Sequence, residues 1–213
     1  MIATKSRTPL VIVAVVIVAV VAALVAVVLA GGDDDGDEGD AATPSAAYQA
    51  VEVTGTGLAP LPREGGPDPA FGLAAPALVG SDYAGETVEV TPGSDGPLML
   101  VFLAHWCPHC NAELPRLNEW RDSGEVPDDL AVVGVSTAVD DERPNFPPGS
   151  WLAENDWTWP VLGDDAALTA AGAYGVSGLP FLVVVGDDGT VLARHSGELS
   201  VEELAAFVDT ALT

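Results

Sequence analysis

Lysine is almost absent from this chain. Lys5 is the only one, and with six arginines it stands against 32 acidic residues. Beyond residue 30 the balance is five basic residues against 32 acidic ones, a net charge of −27. A nucleic-acid backbone needs clustered cations, so nucleic acid is excluded as a partner. Close contact with anionic lipid headgroups is disfavoured for the same reason. Cysteine occurs only as Cys107 and Cys110, which excludes a disulfide framework and leaves no second Cys-x-x-Cys to complete a zinc site. Methionine occurs only at Met1 and Met99, too few to supply the thioether ligands a soft copper site recruits. There is no internal repeat.

What is abundant near the N-terminus is aliphatic. From Leu10 to Ala30 every one of 21 residues is Ala, Val, Ile or Leu. As a helix this run is about 31 Å long, matching a hydrocarbon core of about 30 Å. Lys5 and Arg7 precede it and no basic residue follows before Arg63, which keeps residues 1–9 in the cytoplasm and the rest of the chain outside. The alternative is a cleaved leader ending at Val28-Leu29-Ala30, but the apolar run is longer than such leaders carry. No cysteine follows the run, which excludes a lipid-modified anchor. Either way the cysteines face an oxidising compartment. Residues 31–47 open with six carboxylates in ten positions and read as an extended, solvated, disordered linker. Residues 48–213 are enough for one domain with a sizeable core.

Both cysteines sit between two strongly patterned stretches. Leu98–Ala104 is an unbroken apolar run that reads as a buried strand. Asn111–Trp120 places Leu114, Leu117 and Trp120 at helical spacing. A Cys-x-x-Cys at the start of a helix lets the sulfurs meet across one turn, and the helix N-terminus favours the thiolate of Cys107 over its thiol. Cys110, one turn in, would resolve a mixed disulfide. His109, if protonated, adds positive charge beside Cys107, and Pro108 sits where no intrahelical N–H is needed. The pattern predicts a thiol–disulfide oxidoreductase with no cofactor beyond its own Cys107–Cys110 disulfide and no resident metal. A structural disulfide would be a poor staple in so short a loop. Extracytoplasmic carriage of copper or zinc by the same pair is the alternative function.

Further along, Ala50–Val53 and Thr87–Val90 alternate like short strands, and Leu130–Ser136 reads as a second buried strand. A short helix is expected near Ser150–Glu154, and another through Ala166–Ala173 capped by Asp164 or Asp165. Phe181–Val185 and Thr190–Arg194 flank an Asp-Asp-Gly turn as a hairpin, and Ser200 to Glu203 is a capping box opening a last helix. Strands alternating with helices predict an α/β domain, a mixed sheet flanked by helices on both faces. His105 and His195 carry no assigned role, and His195 reads as a surface residue.

The order of elements resembles the thioredoxin fold, and within it the membrane-anchored TlpA/ResA-like branch. Four stretches carry the resemblance: Gly72-Leu73-Ala74-Ala75-Pro76 with Gly85 and Val88; Phe102 to Cys107 through Trp106; Glu113-Leu114-Pro115; and Tyr174-Gly175-Val176-Ser177-Gly178-Leu179-Pro180. It covers about residues 70–213. It implies that Pro180 is cis and lets substrate pair with Leu179 as an added strand. It also implies that Trp106, Pro108 and His109 shape the site, and that Glu113 exchanges a proton with Cys110 or else is a solvated helix-surface carboxylate. The implied partners are extracytoplasmic protein thiols or disulfides and a membrane redox partner. The scaffold suggests a reductase, whereas Pro108-His109 is similar to the dipeptide of DsbA-type oxidants; on that dipeptide an oxidant is expected.

Overall fold

The computed structural model describes residues 47–63 and 65–213. The expected cytoplasmic segment 1–9, the anchor 10–30 and nearly all of the linker 31–47 lie outside the described residues. Among the described residues, no helix is long and apolar enough to cross a membrane.

Two sheets form. The first is antiparallel and small: β1 (Glu52–Thr54), β2 (Ala77–Ser81) and β3 (Thr87–Val90), in the order β1-β2-β3. The second contains β4 (Leu98–Leu103), β5 (Ala131–Ser136), β6 (Val161–Gly163), β7 (Phe181–Val185) and β8 (Val191–Ser196). Its order is β6-β5-β4-β7-β8. β4 runs parallel to β5 and antiparallel to β7, which makes the sheet mixed. The helices are α1 (Pro108–Ser123), α2 (Pro148–Glu154), α3 (Thr169–Ala173) and α4 (Val201–Leu212).

The central strand explains the layering. All six residues of β4 are buried, as a strand covered on both faces requires. Successive side chains point to opposite faces. Met99, Val101 and Leu103 pack with Leu114, Leu117 and Trp120 of α1 and with Leu204 and Val208 of α4. Leu98, Leu100 and Phe102 pack on the other side with Tyr174, Phe181 and Val183, and with Leu78 and Val90 of the small sheet. Two cores therefore share one strand. Gly134 in β5 lets the Trp157 indole lie on the sheet, because a Cβ there would stand 2.7 Å from its Cζ2.

The mixed sheet is as expected, but the helices are not evenly shared between its faces. The second face is covered mainly by the three-stranded sheet, with only the five-residue α3 beside it. The side chains of α3 are Thr and Ala around a glycine, too small to fill that face alone. The expected helix over 166–173 is correspondingly short. The N-cap residue is Leu168, in the left-handed region with no side-chain cap, rather than Asp164 or Asp165. From upstream those two carboxylates accept N–H groups from residues 165, 167 and 169–171, building a turn before the helix and holding its first N–H groups.

Candidate active site

β4 delivers the chain to the site, and a tight turn hands it to α1. Cys107 is the N-cap residue of α1 with extended backbone, φ −74° and ψ 119°, and Pro108 takes the first helical position. The Cys107 N–H donates to the Ala104 carbonyl at 3.0 Å, and its own carbonyl accepts the Asn111 N–H at 3.0 Å. Both cysteines are free thiols. Cys107 is 6% exposed and Cys110 is 0% exposed, so the accessible sulfur is the first, through a narrower opening than its place in the sequence suggests. Cys107 Sγ lies 3.7 Å from the carbonyl oxygen of Leu179. The Leu179–Pro180 bond is cis, and so is Phe146–Pro147, which the sequence did not suggest. Cys110 Sγ accepts the Ala104 N–H at 3.4 Å, and burial pushes its thiol well above the usual range.

Glu113 is not a solvated surface carboxylate. It is fully buried one turn beyond Cys110, where its Oε2 accepts from the Leu199 N–H at 3.1 Å and from Arg116 Nη1 at 3.2 Å. Its Oε1 is buried with no partner among the described residues. Burial raises its pKa above the usual carboxylate range, against the pull of Leu199 and Arg116. Arg116 continues to Glu198 at 2.6 Å, and Glu198 to His109 Nδ1 at 2.7 Å. A line of ionisable groups thus runs from the exposed rim at His109 to the buried acid. His109 and Arg116 hold the Glu198 carboxyl below its usual range.

Trp106 is tied to the segment that follows β5. Its Nε1–H donates to the Ala138 carbonyl at 2.6 Å, and Arg143 lies 4.6 Å above its ring. His105, left without a role by the sequence, is fully buried. Its ring nitrogens contact the segment that also carries Ala138: Nδ1 meets the Pro144 carbonyl at 2.7 Å, and Nε2 accepts the Asp140 N–H at 3.2 Å. That pairing fixes a neutral tautomer. His195 is not a plain surface residue either. Its ring packs on Phe207 at 6.0 Å, and its Nε2 is buried without a partner among the described residues. The structure therefore gathers Cys107, Cys110, Leu179 and Pro180 at one place, sets Glu113 behind Cys110, and puts Trp106 and His109 on the rim. The sequence reading missed Arg116, Asn111 and Glu198, and only chain order could have hinted at the first two.

The His105 contacts carry a pH consequence. Burial lowers its pKa, against the Pro144 hydrogen bond and the Asp140 charge. The unfolded imidazole, near pH 6.5, takes up a proton before the folded one does. Stability from this group is therefore full above about pH 6.5 and falls as pH drops towards the folded value. Urea unfolding at about pH 7 and pH 5 should show wild type losing more stability than His105→Gln, which cannot titrate. Equal losses would remove His105 from the account.

The sequence profile of the AhpC/TSA family matches residues 71–194. The chain is 25% identical over 142 residues to the thiol-disulfide oxidoreductase ResA of Bacillus cereus, covering 65% of this chain and 76% of that one. It is 25% identical over 138 residues to the thioredoxin-like protein YneN of Bacillus subtilis, covering 65% and 78%. Among solved structures, a thiol:disulfide interchange protein of the thioredoxin family from Chlorobium tepidum superposes with a TM-score of 0.54 at 23% identity. That match covers 68% of this chain and 99% of the other.

Proposed function

The chain belongs to the AhpC/TSA family, and we propose that this thioredoxin-like thiol–disulfide oxidoreductase works on the outer side of a membrane, passing the Cys107–Cys110 disulfide to protein thiols. The observation that carries the reading is the inequality of the two sulfurs. Cys107 opens a helix beside the Leu179 carbonyl, whereas Cys110 is sealed inside.

In the oxidised protein a substrate thiolate attacks Cys107 Sγ, and the Cys107–Cys110 bond breaks with its electron pair on Cys110. That sulfur sits where burial disfavours a thiolate, so it takes a proton. Glu113 is the nearby donor, with a carboxyl that burial inclines to hold its proton. A second substrate thiolate then attacks the substrate sulfur of the mixed disulfide and expels Cys107 as thiolate. The substrate leaves oxidised by two electrons and the cysteine pair is reduced by two. A membrane redox partner must remove those electrons to restore the disulfide. The backbone at Leu179 offers substrate an edge on which to pair.

The direction of transfer rests on the leaving thiolate. Cys107 opens α1 with Pro108-His109 beside it, the dipeptide similar to that of DsbA-type oxidants, and a disulfide whose leaving sulfur sits at a helix N-terminus is the stronger kind of oxidant. The location rests on residues 10–30 and on the basic residues that precede them. Equilibration of the full-length protein in glutathione buffers tests the direction. A potential of about −120 mV is expected for a disulfide donor, and one of about −270 mV would reverse the assignment to a reductant. Labelling of Cys107 in intact cells by a membrane-impermeant maleimide tests the location.

A further inference from the structure

Asn111 follows the second cysteine immediately and touches neither sulfur, yet its carboxamide is saturated. Nδ2 donates to the His105 carbonyl at 3.0 Å and to the Cys107 carbonyl at 2.8 Å. Oδ1 accepts from Trp151 Nε1 at 2.9 Å and from Asn145 Nδ2 at 3.2 Å. Two donors and two acceptor positions are all an asparagine has. Its orientation is forced, because indole N–H can only donate and the two carbonyls can only accept.

The partners show what the residue fastens. The carbonyls of His105 and Cys107 are the two ends of the turn that carries the nucleophile. Cys107 is thereby held through its N–H by Ala104 and through its carbonyl by both the backbone and the side chain of Asn111. Trp151 is 2% exposed and belongs to α2, so the clamp is anchored in the core. Asn145 adds a second hold on the His105 carbonyl at 2.8 Å, from the segment that also contacts the His105 ring. A glutamine would place its amide one methylene too far out, and an aspartate would turn an oxygen towards two carbonyls.

We propose that Asn111 is a positioning residue for thiol–disulfide exchange: its carboxamide fixes the 105–107 turn against α2 so that Cys107 Sγ stays beside the Leu179 edge where substrate pairs. This rests on the exchange function proposed above. Holding the sulfur in place acts on the chemical step, through orientation rather than charge.

The test compares full-length wild type with Asn111→Ala and Trp151→Phe, both uncharged changes, using a synthetic peptide dithiol as substrate. Asn111→Ala, which removes all four of these hydrogen bonds, should lower the maximal exchange rate by at least about tenfold, with the half-saturating peptide concentration unchanged. Trp151→Phe, which keeps the ring but loses the donor to Oδ1, should lower it by about threefold and carries the test if Asn111→Ala does not fold. In both variants the pH midpoint for alkylation of Cys107 by iodoacetamide should match wild type. Wild-type exchange rates in the folded variants would overturn the proposal. So would a loss that tracks a moved alkylation midpoint, because the residue would then act through charge. If wild type itself exchanges with no peptide, the exchange reading falls and the positioning role falls with it.

Discussion

In cells expressing the full-length protein with Cys110→Ala, Cys107 should be found joined by a disulfide to other polypeptides. Besides the second substrate thiolate, the wild-type mixed disulfide has a return route: Cys110, one helical turn away on the same rigid element, attacks Cys107 Sγ and releases the substrate. Well-oriented intramolecular partners behave as if present at on the order of 10⁵ M or more, so losing Cys110 should lengthen by at least about a thousandfold the life of adducts whose substrate has no second thiol to resolve them. The fold should tolerate the change: Cys110 Sγ accepts the Ala104 N–H at 3.4 Å and otherwise meets the Cys107 sulfur, and alanine removes only one buried atom. Non-reducing electrophoresis followed by mass spectrometry reads the result. The control is Cys107→Ser added to Cys110→Ala. Adducts that persist in that double variant, or none above its background, would mean that Cys107 does not exchange with protein thiols. Proteins captured outside the cytoplasm would support the topology drawn from residues 10–30; cytoplasmic ones would reverse it.

The parts of this site legible in the sequence are those encoded in a few consecutive residues. Leu98–Leu103 and Phe181–Val185 announce themselves as buried strands because both faces are covered and no alternation is needed. The capping box from Ser200 to Glu203 could be read from two side chains three residues apart, and both of its hydrogen bonds are present. The Cys-x-x-Cys at a helix start is equally local. β2 was missed because Gly80 interrupts its pattern, there to make room for Leu162, whose Cγ would lie 3.1 Å from a Cβ. β6 is three residues long, too short for any period to show. The line of ionisable groups from His109 to Glu113 was illegible for another reason. Its middle member, Glu198, lies 89 residues from His109, in a chain with 32 acidic residues, where one more carboxylate carries no signal. His105 shows the same limit. Its burial depends on residues 140–144, and no local pattern says that this segment folds back over the turn.

Arg194→Met should cost about 3 kcal/mol, the low end of the scale for breaking one side of a buried ion pair, because the partner Asp68 is only half-buried. The guanidinium is on β8 with its side chain fully buried. Nε donates to Asp68 Oδ2 at 3.0 Å, Nη2 pairs with Asp68 Oδ1, and Nη1 donates to the carbonyls of Ala59 at 3.0 Å and Tyr174 at 2.8 Å. Methionine fills much of the volume but leaves a half-buried carboxylate and two carbonyls without donors. For a domain of this size that loss lowers the melting temperature by about 10 °C. Gly175 is part of the same arrangement: a Cβ there would meet the Ala59 carbonyl at 2.5 Å and Arg194 Nη1 at 2.8 Å, so the arginine reaches Tyr174 only past a glycine. Through Tyr174 the arginine holds the start of the segment that ends at Leu179 and Pro180, so peptide exchange should weaken along with stability. The pH dependence identifies the cause. Burial works against the Asp68 charge, but the Arg194 hydrogen bonds, the Ala70 N–H and the Arg194 charge together hold its pKa below the usual value. Its stabilisation is thus present above about pH 3.9 and is lost as pH falls through the folded value. In Arg194→Met the carboxylate becomes a liability that protonation relieves, so acid should narrow the gap between variant and wild type. Asp68→Leu added to Arg194→Met removes the stranded charge and should recover part of the loss, which a double-mutant cycle measures. Strict additivity of the two changes would mean that the pair does not act as one.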